Sequence, residues 1–292
     1  MSYMLFLSGV LAGCVFMALP IAGAQGVPGS KDVGNVLSAD GVEIVYTVRG
    51  QGTPELIFIH GGFADRSFWE NQVNYFGAKC KVIAIDLAGH GESGKNRKKW
   101  DMVSFARDVC AVMEKEKVSD AVLIGNSLGG AVVLEAARLL PAKVSCIVGV
   151  DTFQGFASEG AVEYYKQQAK AYKEDFSGTM RKMVKVLFHA DVDPALYAQV
   201  EKKMLAGGSV EMAVSMMENF VDYNLVDTFK KVPHPVRCIN GDLFPTQIEE
   251  NRKLHPDFDA VILPHTGHYP MLEKPEEFNR QLETIVKGCK KE

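Results

Sequence analysis

The sequence predicts an α/β fold in which a mostly parallel central sheet is flanked by helices and interrupted by a helical insertion. Short apolar runs alternate with longer stretches of helical periodicity along most of the chain. Such alternation requires crossover connections, which place successive strands parallel in one sheet. Between about residues 152 and 231 no buried strand is visible, and consecutive helical segments replace the alternation.

The elements before the insertion follow from periodicity and turn residues. Residues 42–48 alternate apolar and polar side chains, which is typical of a strand, and residues 56–59 form a continuous apolar run, typical of a strand buried on both faces. Further strands are predicted at residues 81–85, 121–124 and 144–150. Helices are predicted at residues 68–76, 102–117 and 128–140, the last ended by Pro141.

The insertion and the segment after it complete the predicted order. Four helices are expected in the insertion, at residues 161–173, 179–189, 194–205 and 210–220. The alternation then resumes with strands at 235–240 and 260–263 and helices near 247–254 and 275–286. We therefore predict a core of residues 35–151 and 232–292 and a helical cap of residues 152–231. An insertion that starts at a strand end is placed to cover a ligand site.

The motif Gly-Asn-Ser-Leu-Gly-Gly at residues 125–130 lies at a predicted strand-to-helix junction. A serine flanked by glycine two residues away on each side is typical of a nucleophile elbow. The tight turn leaves no room for side chains at the flanking positions, and it holds the serine hydroxyl above the sheet edge. Ser127 is therefore the candidate nucleophile.

A serine nucleophile needs a base, and the base needs a carboxylate that orients it. His268 follows the last predicted strand and is the preferred base, with His265 as the alternative. Asp242 follows the strand at 235–240 and is the preferred acid. Asp151 ends the strand at 144–150 and stays open as the other candidate.

Acyl transfer also requires donors for the developing oxyanion. The motif His-Gly-Gly-Phe at residues 60–63 follows a buried strand, and its glycines allow close approach of a backbone N–H to a substrate. We expect the amides of Gly62 and Leu128 to form the oxyanion hole, with the Phe63 amide as a rival to Gly62. His60 is expected to shape the loop.

These motifs together resemble the α/β-hydrolase superfamily over roughly residues 37–287. The resemblance rests on residues 60–62, on Asp-Leu-Ala-Gly-His-Gly-Glu-Ser at 86–93, on the elbow and on Gly267-His268. It implies the α/β-hydrolase fold with a cap at the insertion and a structural role for segment 86–93. The family's acid loop usually has the pattern Gly-x-x-Asp, whereas Asp242 directly follows a glycine. A serine at position 127, where dehalogenating relatives use aspartate, argues against dehalogenation.

The expected function is a serine hydrolase that cleaves an ester, thioester or lactone through an acyl-enzyme on Ser127. Two rivals within the fold are carbon–carbon bond hydrolysis, suggested by the neighbouring Asn126, and cofactor-independent perhydrolysis. A rival of another class is a non-catalytic receptor. No metal or organic cofactor is implied. The expected partner is a small molecule with a hydrophobic part, and the net charge of −4 argues against nucleic acid.

The N-terminus predicts export. Residues 1–24 contain no charged side chain and end in Ala-Gly-Ala, which is typical of a cleaved signal peptide. The alternatives are a membrane anchor, through a lipid on Cys14 or through an uncleaved leader, and a cytoplasmic protein. Six cysteines are present, and one disulfide is possible without an assigned pairing. The oligomeric state is not predicted.

Overall fold

The computed structural model describes residues 32–156 and 161–289. The predicted leader, residues 1–24, lies outside the described residues. Eight strands form one sheet in the order β1-β2-β4-β3-β5-β6-β7-β8, in which only the β1–β2 and β2–β4 pairs are antiparallel. The strands are β1 (Asp32–Leu37), β2 (Glu43–Arg49), β3 (Glu55–Ile59), β4 (Val82–Ile85), β5 (Ala121–Asn126), β6 (Val144–Val150), β7 (Val236–Gly241) and β8 (Phe258–Leu263).

Helices flank this sheet and fill the long connection between β6 and β7. They are α1 (Glu70–Phe76), α2 (Met102–Lys115), α3 (Leu128–Leu139), α4 (Ala161–Glu174), α5 (Phe176–Val186), α6 (Pro194–Ala206), α7 (Val210–Asp222), α8 (Leu225–Lys231), α9 (Ile248–Leu254), α10 (Pro270–Glu273) and α11 (Pro275–Gly288). Two short 3-10 helices lie at Arg66–Trp69 and Pro141–Lys143. None of the described helices combines the length and apolar character that crossing a membrane requires.

The central strands are buried because their side chains face helices on both sides. Every residue of β3, β4, β5 and β6 is buried. Helix α2 packs against α3, and α1 packs against α11 and β4. Continuous apolar runs are the expected sequence of parallel strands covered on both faces, so the predicted mostly parallel α/β sheet flanked by helices is confirmed.

The helical insertion consists of α4 to α8. Helix α4 packs against α7, α5 packs against α6, and α8 packs against α3 of the core. Helix α5 begins at Phe176, three residues before the predicted start, because the Asp175 side chain caps it by accepting a hydrogen bond from the Gly178 amide. The last predicted turn, at 187–189, is not helical, and the Leu187 carbonyl instead accepts a hydrogen bond from the His268 amide of the core.

Sequence patterns did not predict strand β1. Its alternating side chains are mostly exposed, and it pairs only with β2 at the sheet edge. An edge strand of this kind lacks the continuous apolar run that marks a buried strand. Its formation depends on the pairing surface that β2 offers.

One disulfide joins Cys146 of β6 to Cys289, which directly follows α11, with a Cα–Cα distance of 5.8 Å. This distance lies in the usual range for a disulfide. The bridge links residues 143 positions apart. Cys80, Cys110 and Cys238 are buried free thiols.

Candidate active site

Ser127 lies between the end of β5 and the start of α3. Its backbone has φ 52° and ψ −116°, which is a rare conformation for a residue with a side chain. A Cβ at Gly125 would lie 2.2 Å from the Gly129 carbonyl oxygen, and a Cβ at Gly129 would lie 2.5 Å from the Ile59 carbonyl oxygen. Both glycines are therefore required by close backbone contacts, as the elbow motif predicts.

The loop after β3 lies directly against this turn. A Cβ at Gly61 would lie 3.3 Å from the Cβ of Ser127. Gly62, Phe63 and Leu128 line the same cavity as Ser127, and Leu128 is the first residue of α3. Backbone amides at a helix N-terminus favour negative charge. The structure thus brings both predicted oxyanion donors, Gly62 and Leu128, and the rival Phe63 to the serine.

His268 lies in the wall of the same cavity and pairs with Asp151. The Nδ1 atom of His268 lies 2.5 Å from Oδ2 of Asp151, whose side chain is completely buried. The other oxygen of Asp151 accepts a hydrogen bond of 3.0 Å from the Gly241 amide. A carboxylate held in this way fixes the tautomer of the imidazole, so that Nε2 is left to accept a proton.

Asp242, the preferred acid in the sequence analysis, does not pair with His268. Its carboxylate accepts hydrogen bonds from the amides of His265 and Thr266 and lies 2.9 Å from Nε2 of His189. The backbone hydrogen bond from His265 is the largest contribution that lowers the pKa of Asp242, to about 2. The assignment of Asp242 as the partner of His268 is therefore wrong, and the alternative, Asp151, occupies that position.

The physical reason is the short loop after β7. Gly241 is the last residue of β7, so Asp242 leaves the sheet immediately, and its own amide donates to Thr266. Asp151 leaves β6, the direct neighbour of β5, whereas β7 is one strand further from Ser127. Asp151 has φ 44°, a conformation that aspartate tolerates better than most residues.

A second carboxylate, which the sequence analysis missed, supports the His268 loop. Glu273 accepts hydrogen bonds from the amides of Gly267 and Tyr269, at 2.9 and 3.0 Å, on either side of His268. Burial raises the pKa of Glu273. The sequence does contain a signal for this role, because Glu273 is a carboxylate in the first turn of α10, the helix that follows His268.

The helical insertion also contacts His268 directly. The His268 amide donates a 2.8 Å hydrogen bond to the carbonyl of Leu187, just after α5, and the Asn126 side-chain amide donates to the His268 carbonyl. His265, the alternative base, has an exposed side chain, and its ring lies 6.4 Å from that of His189. The structure favours His268 over His265 as the base.

The shared cavity has a volume of about 390 Å³. Besides Ser127 and His268, its wall consists mainly of aromatic, aliphatic and methionine side chains from α4, α5, α6 and α7. Those from the four helices include Tyr165, Tyr172, Met183, Met204, Met216, Met217 and Phe220, while Leu187, just after α5, and Tyr269, next to His268, also line the cavity. Cavities of this size and character hold small organic ligands. Within residues 32–156 and 161–289, no three His, Cys, Asp or Glu side chains group as metal ligands would.

Comparisons with known proteins agree with this geometry. The model of the Alpha/beta hydrolase family matches residues 56–281. The chain is 24% identical over 260 residues to 3-oxoadipate enol-lactonase 2 of Acinetobacter baylyi, covering 87% of this chain and 96% of that protein. It is 24% identical over 248 residues to the dihydrolipoyllysine-residue acetyltransferase component of the acetoin cleaving system of Pseudomonas putida. That match covers 81% of this chain but only 64% of the relative's length.

A solved structure supports the same conclusion about the fold. A thermophilic esterase from Thermogutta terrifontis superimposes with a TM-score of 0.78 at 21% identity, covering 88% of this chain and 99% of the esterase. The family match spans nearly all of the β3–β5 strands, the elbow, the Asp151–His268 pair and the first half of α11. The chain is therefore a hydrolase that belongs to the alpha/beta hydrolase family.

Proposed function

We propose that this protein is a serine hydrolase that cleaves a carboxylic ester, thioester or lactone through an acyl-enzyme on Ser127. The observation that carries the proposal is the Asp151–His268 pair beside Ser127. Asp151 binds Nδ1 of the imidazole, and both His268 and Ser127 line the cavity that Gly62 and Leu128 also line. These are the groups that acyl transfer to a serine requires.

In the proposed mechanism, Ser127 Oγ attacks the substrate carbonyl carbon while His268 Nε2 accepts the hydroxyl proton. Asp151 stabilises the resulting imidazolium. The amides of Leu128 and Gly62 donate to the oxyanion. His268 then protonates the leaving alcohol or thiol. A water molecule releases the acyl group by the same steps in reverse, with His268 as the base.

We further propose that the helical insertion acts as a cap and that the substrate carries a hydrophobic part. The support is that α4, α5, α6 and α7 all contribute side chains to the cavity wall beside Ser127. The helices thereby limit the access of bulk water to the proposed acyl-enzyme.

Asn126 by itself does not distinguish carbon–carbon bond hydrolysis from ester hydrolysis. Its side-chain amide donates to the carbonyls of Val150 and His268, at 2.9 and 3.1 Å. These bonds give the residue a structural explanation, since they connect the elbow to β6 and to the His268 loop.

A fluorophosphonate probe tests the proposed function. We expect stoichiometric labelling of the parent protein and hydrolysis of short p-nitrophenyl esters, and we expect both to be lost in Ser127→Ala because the attacking oxygen is removed. Ser177→Ala, which changes an exposed serine on α5, is the matched control and should label normally. A folded parent that neither labels nor turns over esters would instead support the receptor alternative.

A further inference from the structure

The cavity beside Ser127 contains no lysine or arginine among its described lining residues. Apart from Ser127 and His268, its polar groups are tyrosine hydroxyls, the Gln168 side chain and backbone groups. Nearby lysines of α4 and α5 (Lys166, Lys170, Lys182 and Lys185) are exposed and do not line the cavity. A carboxylate that entered this space would find no oppositely charged partner.

Carboxylates behind the cavity wall also disfavour a ligand that carries a carboxylate. Asp151 lies directly behind His268, and Asp242 and Glu273 hold the backbone of the same loop. Lys203 of α6 does not line the cavity and pairs with Asp65. The carboxylates around the His268 loop therefore repel a negatively charged group on the ligand.

The tyrosines of the wall add hydrogen-bonding groups without charge. Burial raises the pKa of Tyr165, Tyr172 and Tyr269, so their phenols stay protonated. The hydroxyls of Tyr172 and Tyr269 both lie 3.1 Å from a methionine sulfur, of Met183 and Met204 respectively. These hydroxyls are engaged within the wall and offer little compensation to a buried anion.

The apolar surface continues to the cavity mouth. Three residues of the wall have large exposed apolar side chains, namely Val186 (59%), Tyr164 (55%) and Phe244 (39%). An apolar path from solvent to Ser127 favours ligands that lose little hydration when they enter.

Any acyl group bound to Ser127 Oγ must lie in this cavity, because Ser127 forms part of its wall. We propose, on the basis of the proposed serine hydrolase function, that the physiological substrate has an uncharged, apolar acyl chain. We also propose that the enzyme discriminates against acyl chains that carry a carboxylate. Gln168 of α4 lines the cavity and has a long polar side chain, so it is a wall position where a cation can be introduced as a test.

Two substrates of equal length test the proposal on the full chain. p-Nitrophenyl pentanoate and mono-p-nitrophenyl glutarate differ only in a terminal methyl group or carboxylate. We expect kcat/KM for the glutarate to be lower by roughly 100-fold or more, because the carboxylate loses its hydration without gaining a partner. The p-nitrophenyl methyl glutarate diester, which is polar but uncharged, should recover to within about tenfold of the pentanoate.

A charge substitution provides the second arm. Gln168→Arg places a guanidinium in the wall and should raise kcat/KM for the glutarate at least about tenfold relative to the pentanoate. Gln167→Arg adds the same charge one residue earlier, where the parent side chain is exposed and bonded to Glu163, and should leave the ratio unchanged.

The outcomes separate this inference from the proposed function. Equal turnover of pentanoate and glutarate by the parent overturns the inference and leaves the serine hydrolase intact, whatever the variants do. An equal shift in both arginine variants shows that general surface charge, not the cavity wall, sets the preference, and it also overturns the inference. Absence of turnover and of fluorophosphonate labelling refutes the proposed function itself.

Discussion

Asp151 and Asp242 show how two similar residues acquire different tasks from their surroundings. Both follow parallel strands, and both have carboxylates that accept backbone hydrogen bonds. Asp151 is completely buried and binds His268, whereas the Asp242 side chain is 37% exposed and binds His189. Because Asp242 also accepts hydrogen bonds from two amides of the His268 loop, it is a positioning residue for that loop.

Replacement of these two residues tests the assignment. Asp151→Asn should lower kcat on the order of 10⁴-fold, because an asparagine neither fixes the correct tautomer nor stabilises the imidazolium. Asp242→Asn should cost less than about tenfold, since it removes only a support of the loop backbone. The measurement is kcat for a p-nitrophenyl ester at saturating substrate.

The comparison includes its own control, because the two variants make the same chemical change. Similar modest losses in both, or a larger loss in Asp242→Asn, would contradict the assignment of Asp151. Retained labelling with a fluorophosphonate in Asp242→Asn would show that the serine is still activated.

At the scale of elements, α11 is fixed to the sheet by two different means. Its apolar face packs against α1 and β7, and Phe278 and Leu282 are completely buried. The Cys146–Cys289 disulfide adds a covalent link from its end to β6. Helix α11 directly follows the His268 loop and α10, so its attachment affects the position of that loop.

We expect the disulfide to contribute about 2–4 kcal/mol to the free energy of unfolding, because a long closed loop reduces the entropy of the unfolded chain. Cys289→Ser should be destabilised by this amount in urea unfolding. A reductant should lower the stability of the parent toward that of the variant and should not change the variant further. Equal stability of oxidised and reduced parent protein would refute the contribution of the bridge.

At the scale of the whole molecule, buried histidines make the stability of the fold depend on pH. His60 donates through Nδ1 to the Gly61 carbonyl and accepts the Leu87 amide at Nε2, which joins the ends of β3 and β4. Burial lowers the pKa of His60 to about 4 and that of the neighbouring His90 to about 3. Protonation of His60 would place a second N–H against the Leu87 amide.

Stability should therefore fall with acidification. The unfolded chain binds a proton at each of these histidines near pH 6.5, whereas the folded chain resists protonation until about pH 4 or below. The full free energy of unfolding is present above about pH 6.5. It falls progressively as the pH approaches the pKa values of the two histidines in the folded chain. Between pH 7 and 5, each of these two histidines should lower the free energy of unfolding by on the order of 1–2 kcal/mol.

Urea unfolding of the parent and of His60→Gln at pH 7, 6 and 5 measures this effect. Glutamine does not titrate, so the variant should lose the part of the pH-dependent change that His60 contributes, whatever its stability at pH 7. His234→Gln, at a buried histidine remote from this pair in sequence, is a control for histidine replacement. An unchanged slope in His60→Gln would exclude His60 as a source of the acid sensitivity.

The sequence by itself determined the order of strands β2 to β8 and of the helices other than α8 and α10, the elbow at Ser127 and the loop that holds His268. These features depend on local requirements, because buried parallel strands need continuous apolar runs and the tight turn needs glycine at 125 and 129. Each can be inferred within a short segment.

Only the tertiary structure decided between Asp151 and Asp242, formed the edge strand β1 and revealed Glu273 as a support of the His268 loop. These features depend on which segments meet in space. The register of β6, β7 and β8 determines where each carboxylate lies, and Asp242, the first residue after β7, accepts backbone hydrogen bonds instead of pairing with the imidazole. Sequence patterns specify local conformation, whereas these contacts join residues far apart in the chain.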